Sequence, residues 1–476
     1  MIESMAFWAL WVINGLVFAY FILLSLSHLG TSFLAFHALR RYSQRLKSVD
    51  LQDLLATAGA PPITLVVPAF NEEATCVEAV RSLLTLNYPE YEIIVVNDGS
   101  TDRTRDRLVR AFEMAPAPRL HVVDFGTAQV RGTFRSRWHP NLWLVDKDNG
   151  GKADALNSGL SFCQTPLFCA MDADTLLERD ALLRIVRPFL EDQRTVAAGG
   201  LIRVVNGCSV ESGLVTDIRL PRSWLARFQV LEYLRAFLAG RMGWHAIGAT
   251  LVISGAFGVF RRSVTVDLGG FRTDVVGEDM ELVVRMHRRL RELRIPYRIS
   301  FVPDPVAWTE VPETFSGLGR QRDRWQRGMS ESLMIHRRMI LNPRYGRVGL
   351  LAVPHFFFLE MLGPLVELAG YIAFGLTLAL GWANGPYVLG FLMVAIVLGI
   401  VLSVATVALE EVTFRRYPRF SDLARLFSLG VLENLGYRQL ITFWRVRGIL
   451  RLLRGDKAWG EMTRKGFGQG AEVRTS

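Results

Sequence analysis

Three apolar runs in the chain each end in a cluster of polar and acidic residues. Ile63 to Val67 leads into Pro68-Ala69-Phe70-Asn71-Glu72, Tyr91 to Val96 into Asn97-Asp98-Gly99-Ser100-Thr101-Asp102, and Leu167 to Met171 into Asp172-Ala173-Asp174. The last is an Asp-x-Asp pair, which suits a hard divalent cation, Mg2+ or Mn2+, that takes oxygen ligands and bridges to diphosphate oxygens. An ion so held would stabilise a departing nucleoside diphosphate. Singly, each cluster also has a plain structural reading: Asp102 could cap a helix and Asn97-Asp98-Gly99 could be an ordinary turn. Their coincidence at three run ends favours a site.

The first two runs are rich in β-branched residues and read as strands, as does the third, short and apolar. Helix-like stretches follow them (Thr75 to Leu86, Arg103 to Phe112) or precede them (Lys152 to Phe162). Such alternation predicts an α/β fold with a mostly parallel, doubly wound sheet, whose ligands bind beyond the carboxyl ends of the strands. No Gly-x-Gly-x-x-Gly follows the first strand, and Gly150-Gly151-Lys152 lacks the upstream glycine of a P-loop. A dinucleotide oxidoreductase and a P-loop NTPase are therefore disfavoured.

The chain has 476 residues, half of them apolar, with 55 Lys and Arg against 45 Asp and Glu, a net charge of +10. Its mean hydropathy is +0.23, which argues against disorder and for membrane segments. Ser4 to Leu39 holds no charged residue, enough to cross a bilayer, and Arg40, Arg41 and Arg45 follow it. By the positive-inside rule the next segment is cytoplasmic. A second uncharged stretch, Leu368 to Leu409, is broken at Trp382-Ala383-Asn384-Gly385-Pro386 and reads as a hairpin of two spans. Glu360 and Glu367 precede or enter it, either as functional membrane carboxylates or as headgroup-level residues of a helix bending at Pro364. The mixed basic and apolar region after Arg415 reads as membrane-surface helices. The four cysteines, Cys76, Cys163, Cys169 and Cys208, form no ligand cluster and are expected reduced.

Further motifs complete an ordered set: Gly151-Lys152-Ala153-Asp154-Ala155-Leu156-Asn157 before the Asp-x-Asp pair, then Gly277-Glu278-Asp279 and Gln321-Arg322-Asp323-Arg324-Trp325. With Val67 to Glu72 and Asn97 to Asp102, their order and spacing from Ile63 to Gly328 resemble the membrane-embedded family-2 glycosyltransferases, the group that includes cellulose, chitin, hyaluronan and poly-N-acetylglucosamine synthases. The resemblance implies a nucleotide-sugar-binding domain of the glycosyltransferase-A type. It implies that Asp98 binds the uridine and ribose, that Pro68, Asn71 and Glu72 line the nucleotide pocket, and that Asp172 and Asp174 hold the sugar diphosphate chiefly through the metal. Lys152 would stand near the nucleotide, Glu278 would belong to the substrate-binding set, and Asp279 would be the general base. Gln321, Arg324 and Trp325 share one helical face, where arginine can clamp phosphate and indole can stack on a sugar. Ser254-Gly255-Ala256-Phe257-Gly258 resembles the acceptor-end loop, and Gln229 and Glu232 fall in an acceptor-side insert; for these, packing and contact readings are equally open. Gly277 departs from many relatives, which carry a hydroxyl residue or another side chain there.

The expected organisation is a transmembrane helix and basic flank (1–45), a cytoplasmic catalytic domain (61–330), an interfacial segment with two spans (331–410) and a basic surface region (411–476). The expected activity is inverting, Mg2+- or Mn2+-dependent, processive transfer from a UDP-sugar to a β-linked polysaccharide at the cytoplasmic face of a bacterial-type inner membrane. Transfer of one sugar to a polyprenyl phosphate or other lipid is the alternative. The partners are the UDP-sugar, the polysaccharide acceptor and the bilayer, with a second copy or an accessory membrane subunit to enclose the product, and no nucleic acid.

Overall fold

A computed structural model describes residues 2–48, 59–211, 213–417 and 419–456. The distal part of the basic surface region, from residue 457, lies outside the described residues.

The core is a ten-stranded sheet in the order β3-β4-β5-β2-β1-β6-β11-β8-β12-β7. The strands are β1 (Ile63–Ala69), β2 (Tyr91–Asp98), β3 (Met114–Pro116), β4 (Val130–Ser136), β5 (Leu142–Lys147), β6 (Leu167–Ala170), β7 (Thr175–Leu177), β8 (Thr195–Val204), β11 (Gly258–Arg261) and β12 (Arg298–Thr309). Two further strands, β9 (Ser209–Glu211) and β10 (Leu214–Asp217), form a separate antiparallel pair. The three runs read as strands are β1, β2 and β6, and they lie side by side with β5 as the parallel half of the sheet. Beyond β6 the sheet differs from the parallel expectation: β11 runs antiparallel to both β6 and β8, and β7 antiparallel to β12. Because β1 is flanked by β2 on one side and β6 on the other, the crevice for ligands opens at the carboxyl ends of β1 and β6. Asp172 and Asp174 follow β6 there.

Helix α1 (Ile2–Ser48) is continuous over 47 residues, about 70 Å at 1.5 Å per residue and so longer than a bilayer is thick. Its far end docks on the sheet domain. Ala35 and Leu39 join the core that contains Val67 and Val95, and Tyr42 donates a hydrogen bond to Asp304. Among the described residues, two helical stretches, Glu3–Arg45 and Gly385–Thr413, are long and apolar enough to cross a membrane. The pair Val348–Met361 and Gly363–Ala379, bent by 40°, makes a third if it acts as one span. The bend falls beside Pro364, where the sequence placed it.

Helix α2 (Lys152–Phe162) lies in the sheet domain, and α3 (Trp224–Tyr233) begins an insert that continues as helical turns to Ala246. The base motif opens α4 (Glu278–Glu292), the Gln321-to-Trp325 motif rides on α5 (Phe315–Ile335), and α6 is Gly363–Ala379. The chain continues into α7 (Leu398–Thr413), α8 (Phe420–Leu432) and α9 (Tyr437–Leu453). Helix α9, expected on the membrane surface, is clamped to α5. Asp323 of α5 is fully buried and accepts from Arg327 (2.9 Å), Arg447 (3.2 Å) and Arg451 (3.0 Å). A Cβ on Gly319 would meet the Trp444 indole at 2.7 Å, and one on Gly448 would meet the Asp323 carbonyl at 2.8 Å, so both glycines permit the close approach. Glu360 and Glu367 are engaged by the same helix: Arg445 bonds Glu360 at 3.2 Å and Thr442 donates to Glu367 at 2.6 Å. The four cysteines are free thiols.

Candidate active site

The site is a cavity of about 270 Å³ at the ends of β6 and α4, closed on its far side by α5. One wall carries Lys152, Asp172, Asp174 and Glu278. Lys152 Nζ lies 2.6 Å from Asp172 Oδ1 and 3.1 Å from Glu278 Oε1. Burial alone would lower the Lys152 pKa, but Asp172, Glu278 and Asp279 outweigh it and hold the ammonium above the ordinary lysine value. Burial likewise pushes the Glu278 carboxyl up, against the pull of Lys152. Asp172 and Asp174 offer only oxygen donors, the set that Mg2+ or Mn2+ prefers, so these residues fit such an ion. Elsewhere, His28, His355 and Glu360 bring ligand atoms within 4.8 Å of one another. There the Arg445 guanidinium already neutralises Glu360.

Asp279 stands at the N-terminus of α4, where it is oriented by two backbone amides. Gly255 N donates to Oδ2 at 2.9 Å and Met280 N to Oδ1 at 2.7 Å. The first bond ties Asp279 to the Ser254-Gly255-Ala256 loop, which lines the same cavity. A Cβ on Gly255 would lie 2.7 Å from Lys152 Nζ, so a larger residue there would push the lysine head group aside. Gly277 has a similar explanation: its Cβ would lie 2.8 Å from the Cα of Gly328 on α5. The residue that departs from the motif is thus the one that lets α4 and α5 touch, bringing Asp279 against the Gln321 face.

Gln321, Arg324 and Trp325 all line the cavity, as their shared helical face predicts. Trp325 is 38% exposed and lies 6.2 Å from both Tyr233 and Phe237, an aromatic shelf beside the base. Arg322, between the motif positions, stacks over Trp325 at 4.3 Å and pairs with Glu232 at 2.6 Å. Glu232 also accepts from the Tyr437 hydroxyl at 3.0 Å, and buried Gln229 donates to the carbonyls of Leu225 and Pro312. For both insert residues the packing reading prevails.

Pro68, Asn71, Glu72 and Asp98 do not line this cavity. Asn71 sits at φ 54°, a left-handed conformation that asparagine tolerates, and its Oδ1 accepts from Thr101 N at 2.8 Å. Glu72 Oε2 accepts from Thr75 Oγ1 at 2.7 Å. Asp98 is 2% exposed, and its carboxylate takes Lys147 Nζ at 2.5 Å with Gly150 N at 3.0 Å and Gly151 N at 2.8 Å. These residues join the loops after β1, β2 and β5 to each other. Asp102 is not the cap of the helix Thr104–Ala111, whose N-cap position is Arg103; it accepts from Thr104 N at 2.9 Å in the turn before the helix and from Glu73 N at 3.1 Å. Sequence reasoning missed Lys147, which is wholly buried between Asp98 and Asp154, and Arg241, which lines the cavity from the insert. Neither lies in a motif.

A mixed sheet whose acidic strand ends meet a carboxylate at a helix start is the arrangement of a glycosyltransferase-A-type enzyme. Residues 61–328 match the glycosyltransferase like family 2, more than half of the chain, and the protein belongs to that family as a glycosyltransferase. It is related to polysaccharide synthases: it is 29% identical over 273 residues to poly-β-1,6-N-acetyl-D-glucosamine synthases of Staphylococcus aureus, covering 57% of this chain and 55% of theirs. With the synthase of Staphylococcus epidermidis the identity is 29% over 272 residues. The chain thus spans about half the length of the curated relatives it matches. The mannosyltransferase PcManGT from Pyrobaculum calidifontis, solved in complex with GDP-Man and Mn2+, superposes with a TM-score of 0.53 at 20% identity, over 89% of this chain and 99% of that one. That likeness is one of fold.

Proposed function

We propose that the protein is an inverting, divalent-metal-dependent, processive glycosyltransferase that adds sugars from a UDP-sugar to a β-linked polysaccharide at the cytoplasmic face of a bacterial-type inner membrane. The observation that carries this reading is the convergence of Asp279, the Asp172/Asp174 pair and the Gln321/Arg324/Trp325 face on one cavity. Asp279, held by two amides, accepts the proton of the acceptor hydroxyl as that oxygen attacks the anomeric carbon. Attack opposite the leaving group inverts the anomeric configuration, by the single-displacement logic of inverting glycosidases. Arg324 and Gln321 bind the diphosphate, and Lys152 stays charged beside it among three carboxylates. A Mg2+ or Mn2+ ion held by Asp172 and Asp174 supplies positive charge against the departing diphosphate. Trp325 supports the acceptor ring on the aromatic shelf and retains it between additions.

Pro68, Asn71, Glu72 and Asp98 act through the loops after β1 and β2, which form the nucleotide end of the site; Asp98, its carboxylate filled by Lys147 and two loop amides, shapes that end for the uridine. The arginines after α1 and α7 support a cytoplasmic catalytic domain. The two or three apolar helices among the described residues are too few to enclose a hydrophilic chain, so export requires a second copy or an accessory membrane subunit. The test is UDP release by the purified full chain across a panel of UDP-sugars, with Mg2+, Mn2+ or chelator. Metal-dependent release with one UDP-sugar is expected; release only from sugars carried on another nucleotide would overturn the donor assignment.

A further inference from the structure

Three arginines of the insert and the neighbouring α5 differ in what they meet. Arg235 pairs with Glu433 at 2.5 Å and Arg322 with Glu232 at 2.6 Å. Arg241 is 8% exposed, lines the active-site cavity and has a buried Nη1 with no hydrogen-bond partner among the described residues. Its guanidinium lies 4.0 Å from the centre of the Phe237 ring, which in turn borders Trp325. Burial pulls its pKa down to about 10, and Asp279 offsets this only in part.

A buried cation with an unsatisfied donor is strongly disfavoured unless a counter-charge arrives. Arg241 lies on the Phe237 ring, which borders Trp325, in the cavity that Asp279 also lines. Trp325 supports the acceptor ring in the proposed reaction, so Arg241 stands on the acceptor side. Asp279 also constrains what the anion is. A phosphate nucleophile is already ionised at neutral pH and needs no proton acceptor, whereas a hydroxyl does. The charge facing Arg241 is then a substituent of the acceptor and not its attacking atom.

We propose that Arg241 is a specificity-determining residue that binds an anionic substituent, a carboxylate or a phosphate ester, on the acceptor sugar whose hydroxyl faces Asp279. The guanidinium presents a planar fork that matches either group bidentately, and Phe237 holds that plane. The inference rests on the polysaccharide-transfer reading and deepens it: the acceptor is an acidic glycan.

The experiment uses the full chain in detergent with the UDP-sugar that supports turnover. Three probe acceptors are compared: a neutral β-linked N-acetylglucosamine oligosaccharide, a uronate-terminated oligosaccharide, and an oligosaccharide carrying a phosphate ester. The native protein is expected to favour one acidic probe, which identifies the substituent. Arg241→Gln should raise the KM for that probe roughly 10- to 100-fold, leave the donor KM unchanged and erase the preference over the neutral probe, while Arg241→Lys recovers part of it. Equal use of neutral and acidic probes, or a rise in donor KM with acceptor KM unchanged, would overturn the proposal. No UDP release from any UDP-sugar would instead defeat the underlying functional reading, whatever the Arg241 variants do.

Discussion

The loops after β1, β2 and β5 and the cavity at α4 and α5 are built on opposite plans. In the loops, polar side chains satisfy one another: Asp98 is saturated by Lys147 and two loop amides, Asn71 bonds the loop after β2, and Glu72 bonds its own loop. In the cavity, Asp279 is held by two backbone amides, and Trp325 and Arg241 line the same space. One side is a rigid frame whose motif residues shape a pocket. The other is a working face whose residues are fixed in place by close helix contacts. Substitutions should therefore separate by consequence, the frame losing stability and the face losing turnover.

The largest separation is expected at the base. Asp279→Asn should lower transfer on the order of 100-fold or more while leaving UDP binding near native, because it removes the proton acceptor alone. Asp174→Asn should instead weaken metal-dependent UDP binding, and calorimetric titration of both variants beside turnover measures the division. Equal loss of UDP binding in the two would erase the contrast.

Acid should loosen the fold through two buried histidines, His245 against β12 and His287 on α4. His245 and His287 are held near pKa 4 by burial, against an ordinary value of 6.5. The unfolded chain then binds more protons, so stability is complete above pH 6.5 and falls as pH drops toward 4, by about 3 kcal/mol per ring at most. Thermal unfolding across that window measures the loss. A flat profile would mean that neither ring is held neutral.

A smaller loss is expected in the frame. Asp98→Asn should cost about 2 kcal/mol of stability, because Lys147 keeps Asp154 at 2.6 Å as its remaining partner. Turnover by the fraction that stays folded should fall less than in Asp279→Asn. Denaturant titration and activity at low temperature separate the two effects. The smallest change belongs to the clamp behind the working face: Arg451→Gln removes the partly exposed one of three arginines from buried Asp323, which keeps Arg327 and Arg447, and should cost about 1 kcal/mol.

The frame was legible in the sequence because its motifs sit directly after strands, where a short apolar run marks the strand end and so the place of the polar cluster behind it. The Asp172/Asp174 pair and the shared face of Gln321, Arg324 and Trp325 were legible for the same local reason. Distant contacts were not. That β11 runs antiparallel between β6 and β8 depends on pairings across long stretches of chain that no local pattern records. Helix α9 combines basic and apolar residues, a composition that serves a lipid surface as well as a buried aspartate. Its docking on Asp323 shows only when both helices are in view. Arg241 belongs to no motif, and its place in the cavity with a buried, unpartnered Nη1 shows only in the folded chain. Gly277 broke the expected pattern, and its contact with Gly328 gives the reason.

The central claim is that this site builds a chain of sugars, and product length tests it most directly. Purified protein supplied with its UDP-sugar and Mg2+ or Mn2+ should make polymer in detergent, and in sealed vesicles should move that polymer only where a second copy or a partner subunit completes the path. Linkage-specific hydrolases and sizing read the outcome. A product in which one sugar is attached to a lipid under every condition would contradict the account and put the lipid-glycosylating alternative in its place.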